Sequence, residues 1–366
     1  MRTSISRACL TGDKAMTELQ KKRDVGIDVA KGLAMLLVVF IHVRRYAPTD
    51  APMGLGALWA DNFCSIASMS VFFMISGWFS RKLFEQGDGR KLLLRMVGYL
   101  WPVFVIFVCV APLTEWCLYG CMPSADMTFV RGIMSAGWFF FCLMLSDGVT
   151  FAAYRIARGR RMVLASLLAV SYLVFWALPV GLFHACEMLP FFWFGLFCLP
   201  AVNRARFRAA LGFLMLAAYA VACVACGDFE KSGLVFHFSE MHLLSFSWKG
   251  LGLMAARIGL GIAGALGFLE LVRSCVRHFP SWGRLAALGS ETLGIFFVHT
   301  QILPVYFGCR WLGWYDDGLV GRTALSVAIL LVSFALVKLI NANRWIRALV
   351  WNPFVLFMPV RPDKVG

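Results

Sequence analysis

The apolar residues of this chain come in unbroken blocks of about 20, the length of helix that crosses roughly 30 Å of hydrocarbon. None of the blocks alternates polar and apolar with period two, so they read as helices and not as strands of a barrel. Of 366 residues 60% are hydrophobic, including 33 Phe and 13 Trp, and only 15% are charged. A soluble domain with that composition would have an aggregating surface. The expectation is an all-α polytopic membrane bundle of about ten transmembrane helices. The spans are placed at 27–46, 57–80, 92–112, 132–154, 162–180, 184–202, 208–226, 249–272, 285–308 and 319–340.

Charge orients these spans. With the N-terminus in the cytoplasm, the inside segments carry 26 Lys and Arg and the outside segments carry 7, and every inside segment outweighs its neighbours. This is the positive-inside pattern. It puts both termini in the cytoplasm and makes the chain a multi-pass protein of the cell inner (plasma) membrane. The net charge of +15 is then a product of topology and needs no nucleic-acid partner. The expected layout is a cytoplasmic tail at 1–24, a membrane domain at 25–342 and a second cytoplasmic tail at 343–366. The first 23 residues are polar, with no apolar core or small-residue cleavage site, and do not read as a signal peptide. The twelve cysteines lie mostly in apolar spans without metal-ligand spacing and read as small core residues. Cys117 and Cys121 share an outside segment, where pairing is the less favoured alternative. His237, Glu240 and His242 share another, but the histidine spacing is one residue off the i, i+4 metal pair, so no metal is expected.

The stretch Arg23–Tyr46 carries the first chemical signal. Lys31 and His42 bracket an apolar run. Eleven residues on a helix is close to three turns, so both side chains leave one face, about 16 Å apart. Ionisable groups inside a span are costly unless they face a polar interior. The plainer reading has Lys31 snorkelling to the interface and His42 capping the far end. In the second span, SMSVFFMISGWFSRK offers Ser76 and Gly77 for close helix contact, followed by Arg81 and Lys82. Pro102 and Pro112 should kink the third span. Trp138 reads as an interfacial anchor, and Asp147 as reaching the cytoplasmic interface. Glu187 lies just before or within the sixth span, Arg257 about two turns inside the eighth, and Glu291 and His299 in the ninth.

Four stretches together resemble the acyltransferase-3 family of integral membrane acyltransferases. They are the basic residue, ten residues and histidine from Lys31 to His42; FFMISG from Phe72 to Gly77; GWFF from Gly137 to Phe140; and LGSETLGIFFVH, ending at His299. The Asp28–Lys31–Gly32 setting looks most like the sugar O-acetylase branch, which includes fucose 4-O-acetylase-like proteins. The last stretch departs from the family pattern, with Thr292 where serine is usual and Phe296 where tyrosine is usual. The resemblance covers roughly residues 23–340. It implies transfer of an acyl group, usually acetyl from cytoplasmic acetyl-CoA, to a hydroxyl of a carbohydrate or lipid-linked glycan.

The chemistry is consistent with that implication. Acyl transfer to an alcohol needs a base at the hydroxyl and stabilisation of a developing oxyanion. A neutral imidazole suits the base role, so His42 is the first catalytic candidate and His299 the second. The phosphates of CoA want cations at the cytoplasmic face, and Lys31, Arg81, Lys82 and Arg95 are the candidates. Ser76, Trp138, Glu187, Arg257 and Glu291 are candidates for substrate contact or structural polarity. The rival expectation is a transporter or flippase with His42, Arg257 and Glu291 as a polar relay.

Overall fold

The computed structural model describes residues 24–46, 54–119, 137–177, 180–229, 248–308 and 318–351. Among them there are helices and short connections and no strand. The helices are α1 Val25–Tyr46, α2 Leu55–Gln86, α3 Gly89–Val103, α4 Ala111–Tyr119, α5 Trp138–Ala157, α6 Arg161–Ala177 and α7 Val180–Trp193. They continue as α8 Leu199–Arg204, α9 Arg208–Ala225, α10 Trp248–His278, α11 Ala286–Ser290, α12 Thr292–Gly308, α13 Leu319–Ala342 and α14 Arg344–Trp351.

The all-α membrane fold holds. Among the described residues seven helices are long and apolar enough to cross a membrane: α1, α2, α3 continued into α4, α5, α9, α10 and α13. Two shorter apolar helices lie in α6 and α12. The expected span 184–202 falls on α7 and α8, joined by a π-helical turn at Phe194–Cys198. In α1 and α2, 61% of the apolar window is buried inside the protein, against 17% in α9. So α1 and α2 form the centre, and α9 turns most of its surface outward. α2 packs against α1, α7 and α10, and α1 also meets α11, α12 and α13.

Several element boundaries differ from expectation for local reasons. The expected inside loop 81–95 is mostly helix. α2 runs on to Gln86, so Arg81 and Lys82 lie on its last turns. Only Gly87 and Asp88 join it to α3. Asp88 caps α3, its Oδ1 accepting from the Lys91 amide at 3.0 Å, and hydrogen bonding from Lys91 holds its carboxyl below the usual range. The kink expected in the third span takes the form of a π-helical turn at Phe104–Val110, just after Pro102 removes a backbone donor. The expected ninth span is broken. A 3-10 turn at Pro280–Leu285 leads into α11, and the chain bends at Glu291 before α12 begins.

Two glycines of the recognised stretches, Gly77 and Gly289, and a third outside them, Gly195, are required by close backbone approach. A Cβ on Gly77 would lie 1.9 Å from the Phe192 carbonyl oxygen, and one on Gly195 would lie 1.8 Å from that of Met74. α2 and the π turn after α7 therefore cross backbone to backbone, which is the packing role expected of Gly77. A Cβ on Gly289 would lie 1.7 Å from the Asp28 carbonyl oxygen. LGSE thus seats against DVAKG, and α11 is pinned to the start of α1.

Candidate active site

His42 lies on α1, 17 residues beyond its first residue, Val25, and His299 lies two turns into α12. The two rings meet. Nε2 of His299 is 3.3 Å from Nδ1 of His42, and the ring centroids are 5.0 Å apart. Nδ1 of His299 is 3.0 Å from the Ile295 carbonyl, and Nδ1 of His42 is 2.9 Å from that of Val38. A carbonyl oxygen only accepts, so in the neutral rings each Nδ1 carries the proton. Nε2 of His299 is then an acceptor, and the His42 Nδ1–H is shared between it and Val38. The proton-accepting nitrogen of His42 is therefore Nε2. His299 is fully buried and His42 partly so. An edge of Phe296, at the position where tyrosine is usual in the resemblance, packs on the His299 ring with centroids 5.5 Å apart. The Thr292 hydroxyl donates to the Gly289 carbonyl at 3.3 Å and so serves the bend before α12.

A family model for an acyltransferase domain matches residues 24–338. The chain belongs to the acyltransferase-3 family. Its activity is accordingly that of a membrane acyltransferase, and the apolar helices make it a multi-pass membrane protein. No curated protein and no solved structure matched the chain in the same comparisons.

In this acyltransferase-3 chain the expected phosphate-binding cations do not form one cluster. Lys31 pairs with Asp28 one turn back at 2.9 Å. Arg81 pairs with Glu85 one turn on at 2.8 Å, both of them exposed. Lys82 is exposed beside it. Arg95 points inward to Asp147 on α5, at 3.0 Å. Because α1 is continuous from Val25 to Tyr46, Lys31 and His42 do share a face, about 16 Å apart along the axis.

The other expected polar residues are held in separate groups. Glu187 on α7 and Arg257 on α10 form a buried ion pair. Glu291 accepts from Lys338 at 2.7 Å and from Asn341 at 2.9 Å on α13. Trp138 is the first residue of α5, its ring against Phe139. Ser76 is partly buried, and its carbonyl accepts from the Ser80 hydroxyl at 2.8 Å. Among the described residues His42 thus meets His299 on α12, Arg257 meets Glu187 on α7, and Glu291 meets Lys338 and Asn341 on α13. His237, Glu240, His242 and Cys121 lie outside the described residues. Cys117 is exposed on α4.

Two groups escaped the sequence reading. Asp147, expected at the interface, is completely buried. Asp61 on α2 is also buried and binds Arg322 of α13 at 3.1 and 3.3 Å and Arg44 of α1 at 2.8 Å. Arg322, counted with an outside segment, is 1% exposed, and its guanidinium lies 5.7 Å from the centre of the Phe40 ring. Asp61 falls inside an expected span, and an acid within an apolar block was the available signal. Its site is one turn or less from His42 along α1, through Phe40 and Arg44.

Proposed function

We propose that this chain is an O-acyltransferase that moves an acetyl group from cytoplasmic acetyl-CoA to a hydroxyl of a carbohydrate or lipid-linked cell-envelope glycan, with His42 as general base. The observation that carries the reading is the histidine pair, 3.3 Å between nitrogens. It leaves Nε2 of His42 as the basic atom and gives the opposite nitrogen, Nδ1, two acceptors. When Nε2 takes the proton of the acceptor hydroxyl, the alkoxide oxygen attacks the thioester carbonyl. The new C–O bond forms as the C–S bond breaks, and the imidazolium returns its proton to the thiolate. While His42 is charged, its Nδ1–H is held by His299 Nε2 and the Val38 carbonyl, which stabilises the cation and fixes the ring. Lys31, Arg81, Lys82 and Arg95 are the groups assigned to the donor phosphates, as charge-assisted donors. In this reading ten spans cross the plasma membrane, and one groove runs from the cytoplasmic cations to the histidines.

The test is acetyl transfer by purified protein in lipid nanodiscs, with the acceptor sought as a mass difference on surface glycans between cells with and without the gene. His42→Ala should remove transfer by about 10²–10⁴-fold, the usual contribution of a general base, while folding and CoA binding survive. His42→Gln should behave alike, since an amide cannot take the proton. Retained transfer in both variants would overturn the assignment.

A further inference from the structure

We infer that Asp147 is a positioning residue for the acyl donor, acting through Arg95; this rests on the donor reading above. Asp147 is completely buried on α5, a position where a carboxylate is expensive unless fully served. It is served from two other helices. The Ser80 hydroxyl of α2 donates to Oδ1 at 2.8 Å. Nε of Arg95 on α3 is 3.0 Å from Oδ2, and the Tyr99 hydroxyl is 3.5 Å from the same oxygen. Nε of Arg95 also donates to the Tyr99 hydroxyl at 2.6 Å, and the guanidinium lies 5.7 Å from the Tyr99 ring centre.

Among the described residues Arg95 is thus held at Nε and across the Tyr99 ring. Among the described residues its two terminal nitrogens take part in none of these contacts, and its side chain keeps 24% exposure. That is the arrangement that phosphate recognition needs. One side of the guanidinium is fixed, and the terminal pair is left as a rigid fork for two parallel N–H···O bonds. Ser80, the other anchor of Asp147, directly precedes Arg81 and Lys82, which are exposed at the same end of α2. Asp147 therefore joins three helices at the mouth where the donor's phosphates would enter and aims one cation there.

A merely structural tie between helices would affect every donor alike, so the test compares acetyl-CoA with S-acetylpantetheine, which has the thioester but no phosphate. Asp147→Asn keeps the side-chain shape and an acceptor for Ser80 but removes the charge that orients Nε. Its kcat/KM with acetyl-CoA should fall by about tenfold, mainly through KM, in keeping with one charged hydrogen bond misplaced. The loss should be confined to the phosphate-bearing donor. Arg95→Lys retains the charge but has no second nitrogen to spare for a fork, and should show the same selectivity. It also serves where Asp147→Asn fails to fold. Equal losses on both donors, or undiminished use of acetyl-CoA by either variant, would overturn the inference while leaving the acyltransferase reading intact. Wild-type protein that neither binds CoA by calorimetry nor uses acetyl-CoA would overturn both.

Discussion

Replacing His299 by Ala tests the division of labour in the histidine pair. Nδ1 of His42 has two acceptors, the Val38 carbonyl at 2.9 Å and His299 Nε2 at 3.3 Å. Without His299 the nearer one still holds the Nδ1–H tautomer, so the neutral base survives with Nε2 unprotonated. What is lost is one of two acceptors at the moment His42 becomes charged. A hydrogen bond to a charged group is worth about 1.5–3 kcal/mol against 0.5–1.5 for a neutral pair, and 3.3 Å is long for N–H···N. The transition state should lose about 1–2 kcal/mol, or roughly 5- to 30-fold in kcat. That is less than the 10²–10⁴-fold expected for His42→Ala. Because His299 is fully buried, His299→Ala also opens a cavity. His299→Gln fills it and offers an amide oxygen as acceptor, so it should recover part of the loss. The double variant should be no slower than His42→Ala alone, since His299 acts through His42. The assay is single-turnover acetyl transfer with the melting temperature of each variant as control. A larger loss for His299→Ala than for His42→Ala would exchange the roles, and losses that multiply in the double variant would refute the coupling.

Three further outcomes follow. Asn62 donates to the carbonyls of Cys223 and Gly227 at 2.9 and 2.5 Å and accepts from the Phe229 amide at 3.1 Å, so Asn62→Ala should destabilise the end of α9 by about 1–3 kcal/mol; an unchanged melting temperature would mean that the fastening is redundant. Glu291→Gln breaks a pair with half-exposed Lys338 worth about 0–1 kcal/mol and should leave transfer within about twofold; abolished transfer would bring Glu291 into the reaction. A reporter fused after Lys364 should read cytoplasmic, as the split of 26 against 7 cations requires, and an extracytoplasmic reading would reject the ten-span topology.

What was legible in the sequence was whatever breaks a helical apolar pattern within one helix. Lys31 and His42 stand out because their neighbours are apolar. The helix period then places them on one face without any knowledge of partners, and α1 is continuous as that argument requires. Gly77 was legible as a contact glycine. Its partner, Gly195, lies more than a hundred residues away, and only the folded crossing pairs the two. His299 was legible as an ionisable group inside the ninth span and as the end of the fourth recognised stretch. Its place in the sequence says nothing of the 3.3 Å approach to His42, which depends on how α12 is aimed. That aim is set partly by α11, held against α1 where Gly289 meets the Asp28 carbonyl. The same contact explains why the ninth span is broken. A residue-by-residue helix pattern runs straight through LGSETLG, because the cause of the bend is a neighbour and not a local preference.

The misplaced charges share one physical cause. Assigning cations and acids to span ends assumes that each finds water, which is the cheaper state for an isolated charge. Arg322 and Asp147 violate that assumption because each finds an opposite charge on another helix: Asp61 for Arg322, Arg95 for Asp147. Removing one member of such a pair strands the other, at a typical cost of about 3–5 kcal/mol. A charge count by segment sums many residues and is therefore blind to any single residue whose partner lies across the bundle. Those are the residues that tie α2 to α13 and α5 to α3. In the proposed groove Asp61 lies beside the His42 end of α1, through Arg44, and Asp147 lies behind Arg95, one of the cytoplasmic cations.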